Sequence, residues 1–286
     1  MISRVVCLIV LLFVVDLTAA DCTADMCSVA ASGGETRVLK HGKCYDVTNN
    51  GANDIMIPAK TVSELDSFIA ATTTNVTKTP CVSFVAATDD IHTGNWTSSC
   101  YTNKPPGLQV GDLILITIYE SDSSAPALTP PSGFTALGTM HGPQCSSFYS
   151  ITYYKIATAT EVAATTLAVS RDVGTFTNCG IMASAFRGVD TATPLVDFTK
   201  NSGNGTTLTF NSVTTTKANS LSIAIGESCA GVPNTPGSGY VSRYSSADMY
   251  SRLSSKVIEN AGATGNFTST AGSGEWLATH VVFNTP

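Results

Sequence analysis

The sequence predicts an all-β protein, an antiparallel jelly-roll-like β-sandwich preceded by a small cysteine-bearing segment with one short helix. Three observations carry this expectation. Charged residues make up 13% of the 286 positions, about half the ~25% of ordinary soluble domains, and Thr and Ser fill about a quarter of the chain in their place. Hydrophobic residues stand at 43%, enough for a core, which excludes a disordered chain. After residue 80 about a dozen short runs rich in β-branched or aromatic residues follow one another, each bounded by Gly, Pro, Asn, Asp or Ser. A coiled coil is excluded by composition. Nucleic acid is excluded as a partner by a net charge of −6 without clustered Lys and Arg.

Residues 1–20 read as a secretory signal peptide. Arg4 precedes an apolar run from Val5 to Val15, and Leu17-Thr18-Ala19-Ala20 offers small residues for cleavage. The run is too short to cross a ~30 Å hydrocarbon core, so no membrane span is expected and the mature chain is expected outside the cell or at its surface. Removing residues 1–20 takes away Arg4 and Asp16, leaving the charge at −6. It also leaves eight cysteines: Cys22, Cys27, Cys44, Cys81, Cys100, Cys145, Cys179 and Cys229. An even number in a secreted chain argues for disulfides. Eight cysteines allow 105 pairings, so the sequence leaves the connectivity open; the arrangement expected is one in which Cys22, Cys27 and Cys44, with Cys81, staple the N-terminal part while Cys100–Cys145 and Cys179–Cys229 tie loops of the large part. No zinc spacing occurs, and neither metal nor cofactor is expected.

Residues 21–79 lack long apolar runs. Thr61-Val62-Ser63-Glu64 is a capping box, and Leu65, Phe68 and Ile69 follow at helical spacing. Residues 72–80 read as a Thr-rich linker. Residues 80–286 carry the expected strands: Val82–Ala87, Leu113–Glu120, Phe134–Met140, Phe148–Ala157, Thr166–Ser170, Gly180–Phe186, Thr206–Phe210, Ser220–Gly226, Tyr240–Tyr244, Arg252–Ile258, Asn266–Thr270 and Trp276–Phe283. Leu113 to Tyr119 is apolar on both faces and reads as a central strand; Tyr149 to Tyr153 alternates, as a half-buried strand does. With no helix between them, these strands imply a sandwich, and about 205 residues suffice for a sizeable core.

The order of several motifs is similar to that of a known module. Val110-Gly111-Asp112-Leu113-Ile114 opens one strand and Pro130-Pro131-Ser132-Gly133-Phe134-Thr135 turns into another. Tyr153-Tyr154-Lys155-Ile156-Ala157-Thr158 and Ala185-Phe186-Arg187-Gly188-Val189-Asp190 follow, then Ser212-Val213-Thr214-Thr215, Ala261-Gly262-Ala263-Thr264-Gly265 and Trp276-Leu277-Ala278. This resembles jelly-roll-like β-sandwich modules of secreted surface proteins, tail fibres and extracellular fibre subunits. The resemblance covers about residues 80–286 and implies a role in decoration, binding or assembly, with no catalytic residues. The cysteines and the N-terminal segment depart from it. Arg187-Gly188-Val189-Asp190 reads as a turn whose Arg and Asp pair locally.

Catalytic patterns are missing: no G-x-S-x-G, no H-E-x-x-H and no P-loop. Glycoside hydrolysis needs two facing carboxylates. Glu120, Glu227 and Glu275 are the conceivable partners, but among seven glutamates they form no signal, and no enzyme is expected. The four histidines read as surface or loop residues, and Asp89-Asp90 and Asn53-Asp54 as solvated turns. Asparagine acceptors for glycans occur at Asn75, Asn95, Asn204 and Asn266. Trp96, in a polar stretch, is the candidate for stacking on a sugar. The expected function is therefore that of a secreted structural glycoprotein, a homopolymeric subunit of an extracellular filament or surface layer. Its N-terminal segment would dock on the next subunit through Val38, Leu39, Ile55, Met56 and Ile57. The alternative is a carbohydrate-binding or adhesive module.

Overall fold

The computed structural model describes residues 35–40, 43–48, 76–77 and 82–286, the last without 122–124, 146 and 238; the side chains of the first three segments, of 95–97 and of 143–144 also lie outside the described set. The expected helix after Thr61, the linker and the signal peptide fall outside it. The chain divides into two compact units, residues 1–81 and 82–286. In the first, β1 (Glu35–Lys40) and β2 (Lys43–Thr48) pair antiparallel, with Val38 opposite Tyr45 and Leu39 opposite Cys44, and β3 (Val76–Thr77) lies on the other side of β2.

The second unit is an all-β antiparallel sandwich, and the chain completes one sheet before it begins the other. Residues 82–187 supply β4 (Ser83–Thr97), β5 (Ser99–Asn103), β6 (Leu113–Ser121), β7 (Leu128–Thr129), β8 (Thr135–Ala136), β9 (His141–Gln144), β10 (Phe148–Ile156), β11 (Thr166–Arg171) and β12 (Phe176–Arg187). Their main sheet runs β4-β12-β6-β10-β8, with β9 also on β10. Residues 195–283 supply β13 (Leu195–Phe210), β14 (Thr214–Thr215), β15 (Ser220–Ser228), β16 (Val241–Ser246), β17 (Ser251–Ile258), β18 (Gly262–Ala263) and β19 (Phe267–Phe283), with main sheet β13-β19-β15-β17-β16.

These two orders are the same. In each half the four main strands stand first-fourth-second-third, and the details match. Leu113 lies between Ile156 and Phe186 in its sheet, and Leu221 lies between Val257 and Phe283 in the other. Thr135 pairs with Tyr154 as Val241 pairs with Ser255. Just before those strands, Gly133 and Gly239 take φ of +79° and +81°, a region open to glycine without a Cβ penalty. The ring that follows each glycine, Phe134 or Tyr240, carries a lysine ammonium 5.7 Å (Lys155) or 4.7 Å (Lys256) from its centroid, within cation–π range. The unit is a structural repeat packed on itself.

Between the repeats lies a core of Leu113, Leu115, Met182 and Phe186 from one sheet and Leu221, Ile223, Ile225, Leu253, Val281 and Phe283 from the other. Alternation along β6 sends Ile114, Ile116 and Ile118 to the opposite face, where they meet Leu167 and Val169 of a third, outer sheet ordered β5-β11-β7. That outer layer explains why β6 is apolar on both sides: its sheet is the middle of three layers. The second repeat is covered by its own ends, since the far halves of β13 and β19 place Leu208, Phe210 and Phe267 over Ala224 and Ala278. Each large apolar side chain so buried contributes about 1.5–3 kcal/mol.

Several expectations are corrected. One helix does interrupt the strands: α1 (Ala159–Ala163) starts at Thr158, whose side chain accepts from Thr160 N while Glu161 accepts from Thr158 N, a capping box. Asn266–Thr270 and Trp276–Phe283 are one strand, β19, and Thr206–Phe210 is the end of the longer β13. Of Phe134–Met140 only Thr135–Ala136 pairs. The large unit's cysteines do pair among themselves, but as Cys100–Cys179 and Cys145–Cys229. The first joins the outer layer to the middle sheet; the second joins the loop before β10 to the end of β15. Arg187 does not pair with Asp190. Its Nε and Nη2 both donate to Asp112 at 2.9 Å, while Asp112 also accepts from Gln109 N and closes the tight turn at Gly111. Asp190 instead accepts from Ala192 N, Thr193 N and Lys217 Nζ.

Candidate ligand-binding site

At one end of the sandwich, where β6 and β15 finish, the two sheets part around a cavity of about 730 Å³. The repeat builds its walls in matched pairs. Six residues beyond Leu113, Tyr119 stands between Ser150 and Gly180; six residues beyond Leu221, Glu227 stands between Ser251 and Leu277. Both point inward, because they share the alternation of the core-facing leucines. The same ladders bring Tyr149 and Tyr250 to equivalent places, and likewise Asn178 and Glu275. The cavity lies on the seam between the two repeats.

The floor is polar. Glu227 is 6% exposed; its Oε1 accepts from Ser150 Oγ at 3.1 Å, and its Oε2 finds no hydrogen-bond donor among the described residues. Burial is the main force on this carboxyl and pushes its pKa up to about 7, against smaller opposing effects of Ser150, Lys200 and Tyr119. The Tyr119 hydroxyl lies beside it without an aligned hydrogen bond; burial first, and the Glu227 charge second, push that phenol well up. Lys200, on β13, acts on Glu227 through its field while its ammonium donates to Thr139 O at 2.8 Å. Burial lowers the Lys200 pKa.

The side chains of Tyr119, Ile91, Met249 and Leu277 form apolar walls, and Tyr149 and Trp276 also border the space. At the mouth, Phe148 is 43% and Tyr250 47% exposed. Two lining residues, Cys145 at φ +50° and Tyr250 at φ +44°, hold backbone conformations that L-residues rarely adopt, a kind of strain that gathers at functional sites. The Cys145–Cys229 disulfide borders the cavity and steadies Glu275. The Glu275 carboxylate accepts from Cys145 N, and its carbonyl accepts from Cys229 N at 2.9 Å. The contact of Met249 sulfur with Gly180 shows why a side chain there would close the space.

Of the three glutamates singled out from the sequence, Glu227 and Glu275 line the cavity and Glu120 does not. One residue from Tyr119, Glu120 faces the outer layer and is paired with Arg171 at 2.6 Å. The described histidines are not uniformly superficial. His280 is fully buried, with Nε2 2.9 Å from Ser222 Oγ and Nδ1 2.7 Å from Asn211 O, and burial brings its pKa down to about 4. His92 is buried beside Tyr101. His141 faces Ser150 across the ladder, and burial, then Lys200, lowers its pKa. Asp89 accepts from Tyr244 Oη at 2.5 Å, and Asp90 caps Ile91 N. Asn204 and Asn266 are exposed. Asn75, Cys22, Cys27, Cys81, Asn53, Asp54, Ile55, Met56 and Ile57 lie outside the described residues, as do the side chains of Asn95, Trp96, Val38, Leu39 and Cys44. Sequence reasoning missed Tyr119, Phe148, Tyr149 and Ser150. Comparison with family models, with curated proteins and with solved structures finds no match to this chain.

Proposed function

We propose that the chain is a secreted β-sandwich glycoprotein that binds carbohydrate in this cavity. The observation that carries the reading is the pair of exposed rings, Phe148 and Tyr250, at the mouth of a cavity whose floor holds a buried carboxyl and hydroxyls. Sugar rings offer apolar faces for aromatic stacking and hydroxyls for such a floor, and most ligand pockets combine apolar walls with a few polar groups. The leader-like first twenty residues, the two disulfides and the exposed acceptors Asn204 and Asn266 support secretion and glycosylation. The motif order supports kinship with jelly-roll-like surface and fibre modules. On a glycan array the protein is expected to bind a discrete set of sugars, with Tyr250→Ala and Phe148→Ala each weakening binding about tenfold. No binding, or binding indifferent to both substitutions, overturns the reading.

A second reading, a filament or surface-layer subunit assembling through its N-terminal segment, rests on β1. Among the described residues this six-residue strand pairs on one side only, leaving an edge on which a strand of another copy can add. Light scattering of the mature protein at rising concentration is expected to show polymers that vanish when residues 21–79 are deleted; a monomer throughout excludes it.

A further inference from the structure

Resting on the sugar-binding reading, we infer that the bound sugar carries a protonated amine, held against the wall of the second repeat. Charge around the cavity is one-sided. Glu227, Glu275 and Asp248 line it, and among the described residues no Lys, Arg or His does. The ladder positions that hold these first two acids in the second repeat hold Tyr119 and Asn178 in the first, so the acids stand on one wall and neutral groups on the other. Lys200, the cation whose field reaches Glu227, is outside the lining and is engaged by Thr139 O.

The buried floor asks for a donor. Glu227 Oε2 is enclosed and finds no hydrogen-bond donor among the described residues, a costly state for a carboxyl unless a ligand completes it. An ammonium supplies a charge-assisted hydrogen bond, stronger than that of a hydroxyl, and the Tyr119 ring beside Glu227 and the exposed Tyr250 ring at the mouth favour a nearby cation. An N-acetylated or neutral sugar leaves the acid wall without a charge partner; an anionic sugar is repelled by it. The aromatic mouth still needs a ring to stack on, which a simple amine lacks. An amino sugar meets all these demands at once.

Titration calorimetry at pH 7 and slightly above, where Glu227 is at least half ionised, distinguishes the possibilities, with four probes: a glucosamine trimer, its fully N-acetylated form, a glucose trimer and a ring-free alkylammonium. The glucosamine trimer is expected to bind about tenfold or more tightly than each of the others. Glu227→Gln is expected to bring the affinity for the glucosamine trimer down to that for the glucose trimer, and Glu275→Gln, which can still accept from Cys145 N, serves as the second variant should the first not fold. Equal binding of the N-acetylated or glucose trimer overturns the amine inference and leaves the sugar reading intact. Binding of the alkylammonium as tightly as the amino sugar, or of no probe at all, overturns both.

Discussion

Replacing both Cys145 and Cys229 by Ser is expected to lower the unfolding free energy by about 4 kcal/mol. The two cysteines are 84 residues apart in the chain, and cross-linking a loop of that size removes roughly this much conformational freedom from the unfolded state. The bond also joins one repeat to the other at the end where the sheets separate to make room for the cavity, so no packed core stands in for it there. Denaturant titration measures the loss, and sugar affinity is expected to fall in parallel, because the backbone N–H groups of both cysteines hold Glu275. The matched variant at Cys100 and Cys179, whose bond ties the outer layer to the middle sheet of one repeat, is expected to cost similar stability and to spare affinity more. A Cys145/Cys229 variant within 1 kcal/mol of the native protein would show that the cavity end needs no clamp.

The second large effect is concealed in the native protein. Glu227 has its pKa raised to about 7 in the folded state, from about 4.3 in an unfolded chain. Its contribution to stability is complete below the lower value and is lost as pH rises through the upper. His280 runs the other way: its folded pKa is about 4, below the ~6.5 of a free imidazole, so its contribution is complete above 6.5 and is lost as pH falls through 4. Each span is worth roughly 3–4 kcal/mol. Between about pH 4.5 and 6.5 the folded state holds one proton more than the unfolded at Glu227 and one fewer at His280, and the two slopes cancel. These two groups therefore leave native stability nearly level across that window, with the lowered His141 pKa adding a rise toward its upper end. Glu227→Gln is expected to expose the His280 slope, a rise of about 1.4 kcal/mol per pH unit, and to be roughly 3–4 kcal/mol more stable than the native protein above neutrality. Denaturation midpoints at several pH values check this. A variant profile as flat as the native one would mean that Glu227 keeps an ordinary pKa.

What could be read from the sequence follows from periodicity. Leu113 to Tyr119 announced a central strand because its sheet is covered on both faces, a property that needs no knowledge of partners. The long edge strand β13 was visible only in part, since Thr199 to Gly205 is polar and only half-buried. The short helix α1 had a legible signal, Thr158 and Glu161 three apart, of the same kind that marked Thr61 and Glu64. The repeat, too, left traces: Gly133-Phe134 and Gly239-Tyr240, Lys155 and Lys256, Glu120-Ser121 and Glu227-Ser228. The last pair misleads, because the ladders match Tyr119, not Glu120, to Glu227. Local likeness and spatial equivalence differ there by one residue, and in a strand one residue turns a side chain to the other face. The site itself gathers residues from 119 to 275, and only strand order brings them together.

A half of this unit standing alone would leave its core face uncovered and would have to pair with a second copy to fold. Such a homodimer has only symmetric choices at its axis. Two copies of the second half would set one Glu227 against another, and two like carboxylates in an enclosed space cannot both ionise; two copies of the first half would offer tyrosine to tyrosine and no acid. Joining the halves in one polypeptide removes that restriction. It lets a two-fold framework hold an interior with a charged side and a neutral side, and so gives a bound molecule a single direction in which to lie.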